Sequence, residues 1–109
     1  MKYELKRNDT YPPVIATLQD EQGTIPLTGA TVRFKMAPAP DSGLTVSPIS
    51  RTCTITDAAN GKVQFSWQVG DTATAGVYRG EFEVTFPNGA VETFPSNDYI
   101  NIIIRSDLG

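Results

Sequence analysis

Cys53 is the only cysteine of the chain, and no histidine accompanies it. A thiol attacks as its thiolate, which needs a nearby base or positive charge. Cys53 alternates in phase with Ile55 against Thr52 and Thr54, so the expectation is a buried, unreactive thiol. Without imidazole, Ser-His and Cys-His catalytic sets and the usual zinc sites are excluded. Asp57, Asp71 and Asp98 fall in loops that could meet at one end of a sandwich around Ca²⁺. No Asp-x-Asp-x-Asp spacing supports this, and aspartates of turns are the reading. Glu81 and Glu83 share one outward strand face. As a glycosidase pair they would need a flanking sugar cleft, and a solvated face is expected instead. No catalytic, cofactor-binding or metal-ligating residue is therefore assigned, and no cofactor is expected.

The elements that position these residues follow from composition. The 109 residues fit one domain, residues 1–109, with enough chain to bury a core without disulfides or metal. Nine Lys and Arg stand against twelve Asp and Glu, a net charge of −3. Nucleic-acid backbone binding, driven by clustered cations, is not expected. The longest apolar runs, such as Ile102-Ile103-Ile104, are far short of a membrane span. Met1-Lys2-Tyr3-Glu4 lacks the apolar segment of a signal peptide, so Asn8-Asp9-Thr10, although it matches a glycosylation acceptor, reads as a turn. Eight Val, 8 Ile and 13 Thr outweigh 5 Leu, and 8 Pro and 9 Gly are spread throughout. Such a chain favours short strands over helices, hence an all-β sandwich or barrel.

Alternation places the strands. Tyr3 and Leu5 alternate with Lys2, Glu4 and Lys6; Val14, Ala16 and Leu18 alternate with Ile15, Thr17 and Gln19. Pro12-Pro13 forces an extended path between them. Val32, Phe34 and Met36 face in along the next strand. Ala37–Pro48, with three prolines, is a surface loop with room for a short edge strand at Leu44–Val46. Asn60-Gly61 signals a hairpin leading to inward Val63, Phe65 and Trp67. Tyr78, Gly80, Phe82, Val84 and Phe86 share a face, and Ile100, Ile102 and Ile104 form the last strand. Seven to eight strands in about a hundred residues match an immunoglobulin-like antiparallel β-sandwich. Its expected core is Phe34, Phe65, Trp67, Tyr78 and Phe82.

Asp71-Thr72-Ala73-Thr74-Ala75-Gly76-Val77-Tyr78 has the form of a tyrosine corner, in which a Tyr near the start of strand F bonds back to upstream backbone. A single helical turn capped by Asp71 would fit before it. Where antibody domains place a cysteine two residues after the Tyr, this chain has Gly80, so no inter-sheet disulfide is expected. Tyr11, Ile15 and Ile103 fall off the inward phase. With Tyr3 and Leu5 on the first strand, they are the candidate interface residues.

Read in order, the segments Asn8-Asp9-Thr10, Ala16–Asp20, Leu27–Met36, Ile55–Val63, Trp67–Tyr78, Glu81–Gly89 and Glu92–Pro95 form a linked series. It resembles the N-terminal immunoglobulin-like domain of phage baseplate upper proteins, which also occurs in other phage and prophage structural proteins. The resemblance covers roughly Asp9 to Ile104. It implies a non-enzymatic module of the virion, made in the host cytoplasm and docked to capsid, tail or baseplate proteins in many copies or as a homo-oligomer. In baseplate proteins a C-terminal extension carries the receptor-binding proteins. Here the chain ends at Gly109, after the last expected strand. The expectation is thus a lone domain that decorates a capsid or tail surface or connects other subunits. The alternative is a module whose loops bind a glycan or host surface; its loops offer Tyr11 and Tyr99 as aromatics.

Overall fold

Eleven extended segments carry the backbone of residues 1–108, the part of the chain that the computed structural model describes. Numbered in chain order, the larger sheet holds β1 (Lys2–Lys6), β5 (Thr31–Pro38), β6 (Ile49–Thr52), β9 (Gly76–Thr85), β10 (Val91–Phe94) and β11 (Ile100–Arg105). Its order is β1-β11-β9-β5-β6. The smaller sheet is β2 (Val14–Thr17), β8 (Lys62–Phe65) and β7 (Thr54–Asp57), in the order β2-β8-β7, and β3 (Gln19–Asp20) pairs β4 (Gly23–Thr24) as a two-residue hairpin. The order β11-β9-β5-β6 corresponds to the G-F-C-C′ sheet of immunoglobulin domains, and β2-β8-β7 to B-E-D. β9 is long enough to pair β11 through its first half and β10 through its second on the same flank.

All pairs are antiparallel except one: β1 runs parallel to β11, with Tyr3 opposite Ile102 and Leu5 opposite Ile104. The expected strand at Leu44–Val46 is absent. The edge strand is β6 instead, five residues after Leu44, and β5 runs two residues past Met36 to pair along its length with β9. The Leu44 side chain has another use. It lies over Gly76, so close that a Cβ at Gly76 would collide with Leu44 Cδ1. The expected helical turn at Asp71 is a hydrogen-bonded turn, with Asp71 Oδ2 accepting the Gln68 N–H at 2.6 Å. Cys53 sits where the chain leaves the larger sheet as β6 and enters the smaller one as β7. Its N–H still donates to Val32 O at 2.7 Å.

Phe34, Phe65, Trp67, Tyr78 and Phe82 are all buried. Phe34 is the hub. Its ring centroid lies 4.4 Å from Phe65, 5.2 Å from Phe82 and 6.2 Å from Trp67, the last edge-on at 84°, a favoured aromatic geometry. Trp67 lies just past the end of β8, and its indole N–H donates to Pro12 O at 3.1 Å. Gly80 stands two residues after Tyr78, where antibody domains place a cysteine. A Cβ there would meet the Phe34 ring at 2.8 Å, so glycine opens the space that the ring fills.

Candidate docking edges

A strand at the rim of a sheet presents unpaired N–H and C=O groups, and charges, bulges or brevity are the usual protection. Five strands of the two sheets have a partner on one side only: β1, β6, β10, β2 and β7. β1 carries Lys2, Glu4 and Lys6. Glu4 pairs with Lys2 at 2.8 Å and with Arg105 at 3.0 Å. Those two cations hold the Glu4 carboxyl down at about 2, so this rim stays charged over the working pH range. β6 carries Arg51, whose guanidinium lies 5.0 Å from the Phe65 ring centroid and bonds Gln68 and Asp71. That side chain ties the larger sheet to the loop after Trp67. β7 bears Asp57 and a register shift between Ile55 and Asp57. β2 reads Val-Ile-Ala-Thr, without charge or bulge.

The backbone of β2 alternates between its partner and open space. Leu18 N–H donates to Gly61 O at 2.8 Å on the β8 side. By the alternation of an antiparallel ladder, Ile15 and Thr17 then point their N–H and C=O away from β8. The Ile15 carbonyl confirms the direction, since it accepts the Tyr3 hydroxyl. Tyr3 thus links β1 to β2 across the open side of the sandwich. Among the described residues nothing caps the Thr17 pair in this way.

The candidate interface residues do not form one patch. Tyr11 is 79% exposed and Ile15 56% exposed, both leading into or on β2. Tyr3 is half-buried against the core, and Ile103 is half-buried opposite the exposed Val77. The expectation of an interface role for the Leu5 side chain does not hold: it is buried among the core residues, because it points inward from β1 and only that strand's backbone faces the rim. The Pro-rich loop borders a groove of about 500 Å³ lined by Pro38, Pro40, Pro48, Arg79, Glu81 and Tyr99. In it the Arg79 guanidinium lies 4.8 Å from the Tyr99 ring centroid.

The residues weighed for chemistry are held apart. Asp57 accepts from Asn60, Asp71 from Gln68 and Arg51, and Asp98 from the Tyr99 N–H, each in its own turn. Among the described residues no three His, Cys, Asp or Glu side chains gather where a metal could sit. Glu83 pairs with Lys35 at 2.7 Å on the outer face. Burial pushes the Cys53 thiol up to about 11, the direction that suppresses its thiolate. Asn8 adopts a left-handed φ of 72°, a conformation that Asn tolerates in turns.

Sequence reasoning missed the importance of β2, of the Tyr3–Ile15 link and of Arg51. The one signal for β2 was the uncharged run from Pro12 to Gln19. The other two depend on which strands become neighbours across the sheets.

No protein-family model matches this chain, and no curated protein is similar to it at a significant level.

Proposed function

We propose that this chain is a non-enzymatic structural subunit of a phage particle, held in place by docking through its strand edges. The observation that carries the reading is the uncharged edge of β2, open at Thr17, with the exposed side chains of Tyr11 and Ile15 beside it. An edge of this kind adds a partner's strand through main-chain hydrogen bonds. The linked motif series that resembles the phage immunoglobulin-like domain supplies the particle as the setting. A virion contact of lasting stability buries at least about 1,000 Å² in total, which asks for more of the surface than one strand edge. The test is mass spectrometry of purified particles from the encoding phage or prophage. The chain should co-purify with head, tail or baseplate proteins through a density gradient, and its absence from particles would refute the proposal.

A second reading has one observation in its favour. The groove beside Tyr99 and Arg79 has the size of a small-molecule site, and aromatic rings stack on sugars. Arg79 already covers one face of Tyr99, leaving at most the other for a glycan. Glycan-array binding lost in Tyr99→Ala would favour this host-surface module over the docking subunit.

A further inference from the structure

A narrow cleft opens between the two sheets beside the end of β2. Ala16, Leu18, Phe82, Phe94, Ile100 and Met1 are among its walls, and its volume is about 180 Å³. No residue of β8 lines it, so it lies on the free side of β2, where Thr17 turns its N–H and C=O outward. An apolar cavity of about 150 Å³ accepts benzene; this one has room for a leucine or phenylalanine side chain. The cleft runs into a second, polar hollow that shares Gln19 and Pro95 with it and is lined by Asp20, Glu21 and Asp98. Among the described residues none of these three carboxylates is paired with a lysine or arginine side chain.

We propose that the β2 edge and this cleft together accept an extended segment of another virion protein, with one large apolar side chain in the cleft and a lysine or arginine over the acidic hollow. The proposal deepens the docking reading and rests on it for the identity of the partner as a virion protein. Three observations converge on this occupant. Main-chain pairing to Thr17 requires a strand. The volume and lining of the cleft select one apolar residue on the strand's inward side, since successive side chains alternate. The unpaired carboxylates beyond it favour cationic residues at that end. Antiparallel addition to β2 places the N-terminal end of the incoming strand at the acidic hollow. The other free edges fit less well. β1 is lined with charge, β6 has its Arg51 committed to Asp71, β7 is bulged, and β10 carries Glu92.

The probe is an eight-residue synthetic peptide with two lysines followed by alternating leucine and threonine, titrated into the full chain and followed by amide chemical shifts. Binding should shift Thr17 and the cleft-lining residues, and should weaken as salt is raised from 20 to 300 mM, as expected of screened charges. Thr17→Pro removes the outward N–H at a position where an edge strand tolerates proline, and should weaken binding at least about tenfold. Glu21→Lys, an exposed change remote from the core, should weaken it about threefold or more and flatten the salt dependence. A peptide with serine in place of every leucine should not bind. No binding by the lysine–leucine peptide, or equal binding by Thr17→Pro and Glu21→Lys, would overturn the proposal. A dimer of the free chain that Thr17→Pro returns to monomer in sedimentation would also overturn it, by putting a second copy on the edge. Failure here leaves a particle-associated chain in need of another docking surface, whereas binding by a chain absent from particles would remove the virion partner and keep the edge.

Discussion

The Tyr78 hydroxyl donates to the Thr74 carbonyl at 2.6 Å, four residues upstream across the turn into β9. This is the tyrosine corner expected from the residue order, and it fastens the loop that passes from one sheet to the other. The same loop is tied at a second point. Thr72 is buried, its hydroxyl donates to Asp9 O at 2.7 Å, and its own carbonyl accepts the Asn8 N–H at 3.0 Å. The corner therefore holds the β1–β2 connection as well as β9. Tyr78→Phe should cost about 0.5–1.5 kcal/mol in urea unfolding, the net value of one such bond. An unchanged midpoint would mean that the corner adds nothing.

Trp67 joins the aromatic hub to the Pro12 carbonyl. Trp67→Ala removes a buried ring in contact with Phe34 and Phe65 and should cost about 3–5 kcal/mol. Trp67→Phe keeps most of the packing and loses the bond to Pro12, so its cost should be clearly smaller. A loss below about 1 kcal/mol for the alanine variant would contradict the burial assigned to this ring.

The space above Gly80 belongs to Phe34. Gly80→Ala should destabilise by about 1–3 kcal/mol, because the ring must move to admit a methyl group. Phe34→Leu in the same chain should recover part of that loss, giving a coupling that a double-mutant cycle measures. Strictly additive effects would contradict the contact.

The thiol of Cys53 should be almost inert while the chain is folded. A folded-state value of about 11 against an ordinary 9.0 leaves about a hundredfold less thiolate at pH 8. Reaction with a chromogenic disulfide should be slow in buffer and fast in denaturant. Equal rates would place the thiol at the surface.

The charged rim of β1 gives a pH prediction with a definite sign. Glu4 titrates near 2 when folded, below its ordinary 4.5, because Arg105 and Lys2 hydrogen-bond its carboxylate. The group therefore favours the folded state fully above about 4.5, and the contribution disappears as pH falls through about 2. Its exposure makes the effect small and salt-sensitive. Carboxyl NMR should find the Glu4 midpoint depressed at low salt and rising with salt or in Arg105→Gln. A midpoint near 4.5 at low salt would contradict the pairing.

The inward residues were legible because alternation decides in from out. Val32, Phe34, Met36, Val63, Phe65, Tyr78, Phe82 and Val84 are all buried as their phase requires. Alternation does not say which sheet a strand joins. The passage from β6 to β7 through Cys53 leaves the in–out pattern almost undisturbed, so the change of sheet was invisible. The parallel pairing of β1 with β11 depends on two segments about a hundred residues apart, and no local signal fixes its direction. Leu44 looked like a strand residue by type and proved to be the filler over Gly76. The β2 edge was hidden for a related reason: a strand is an edge only because nothing lies beside it, which no residue in the strand records.

The claim that this chain is a docked subunit of a particle is tested most directly by its copy number in purified virions. Quantitative mass spectrometry against the major capsid and tail proteins should return a whole multiple set by the symmetry of the particle. A chain that is absent, or present only in trace amounts that vary between preparations, would contradict the account.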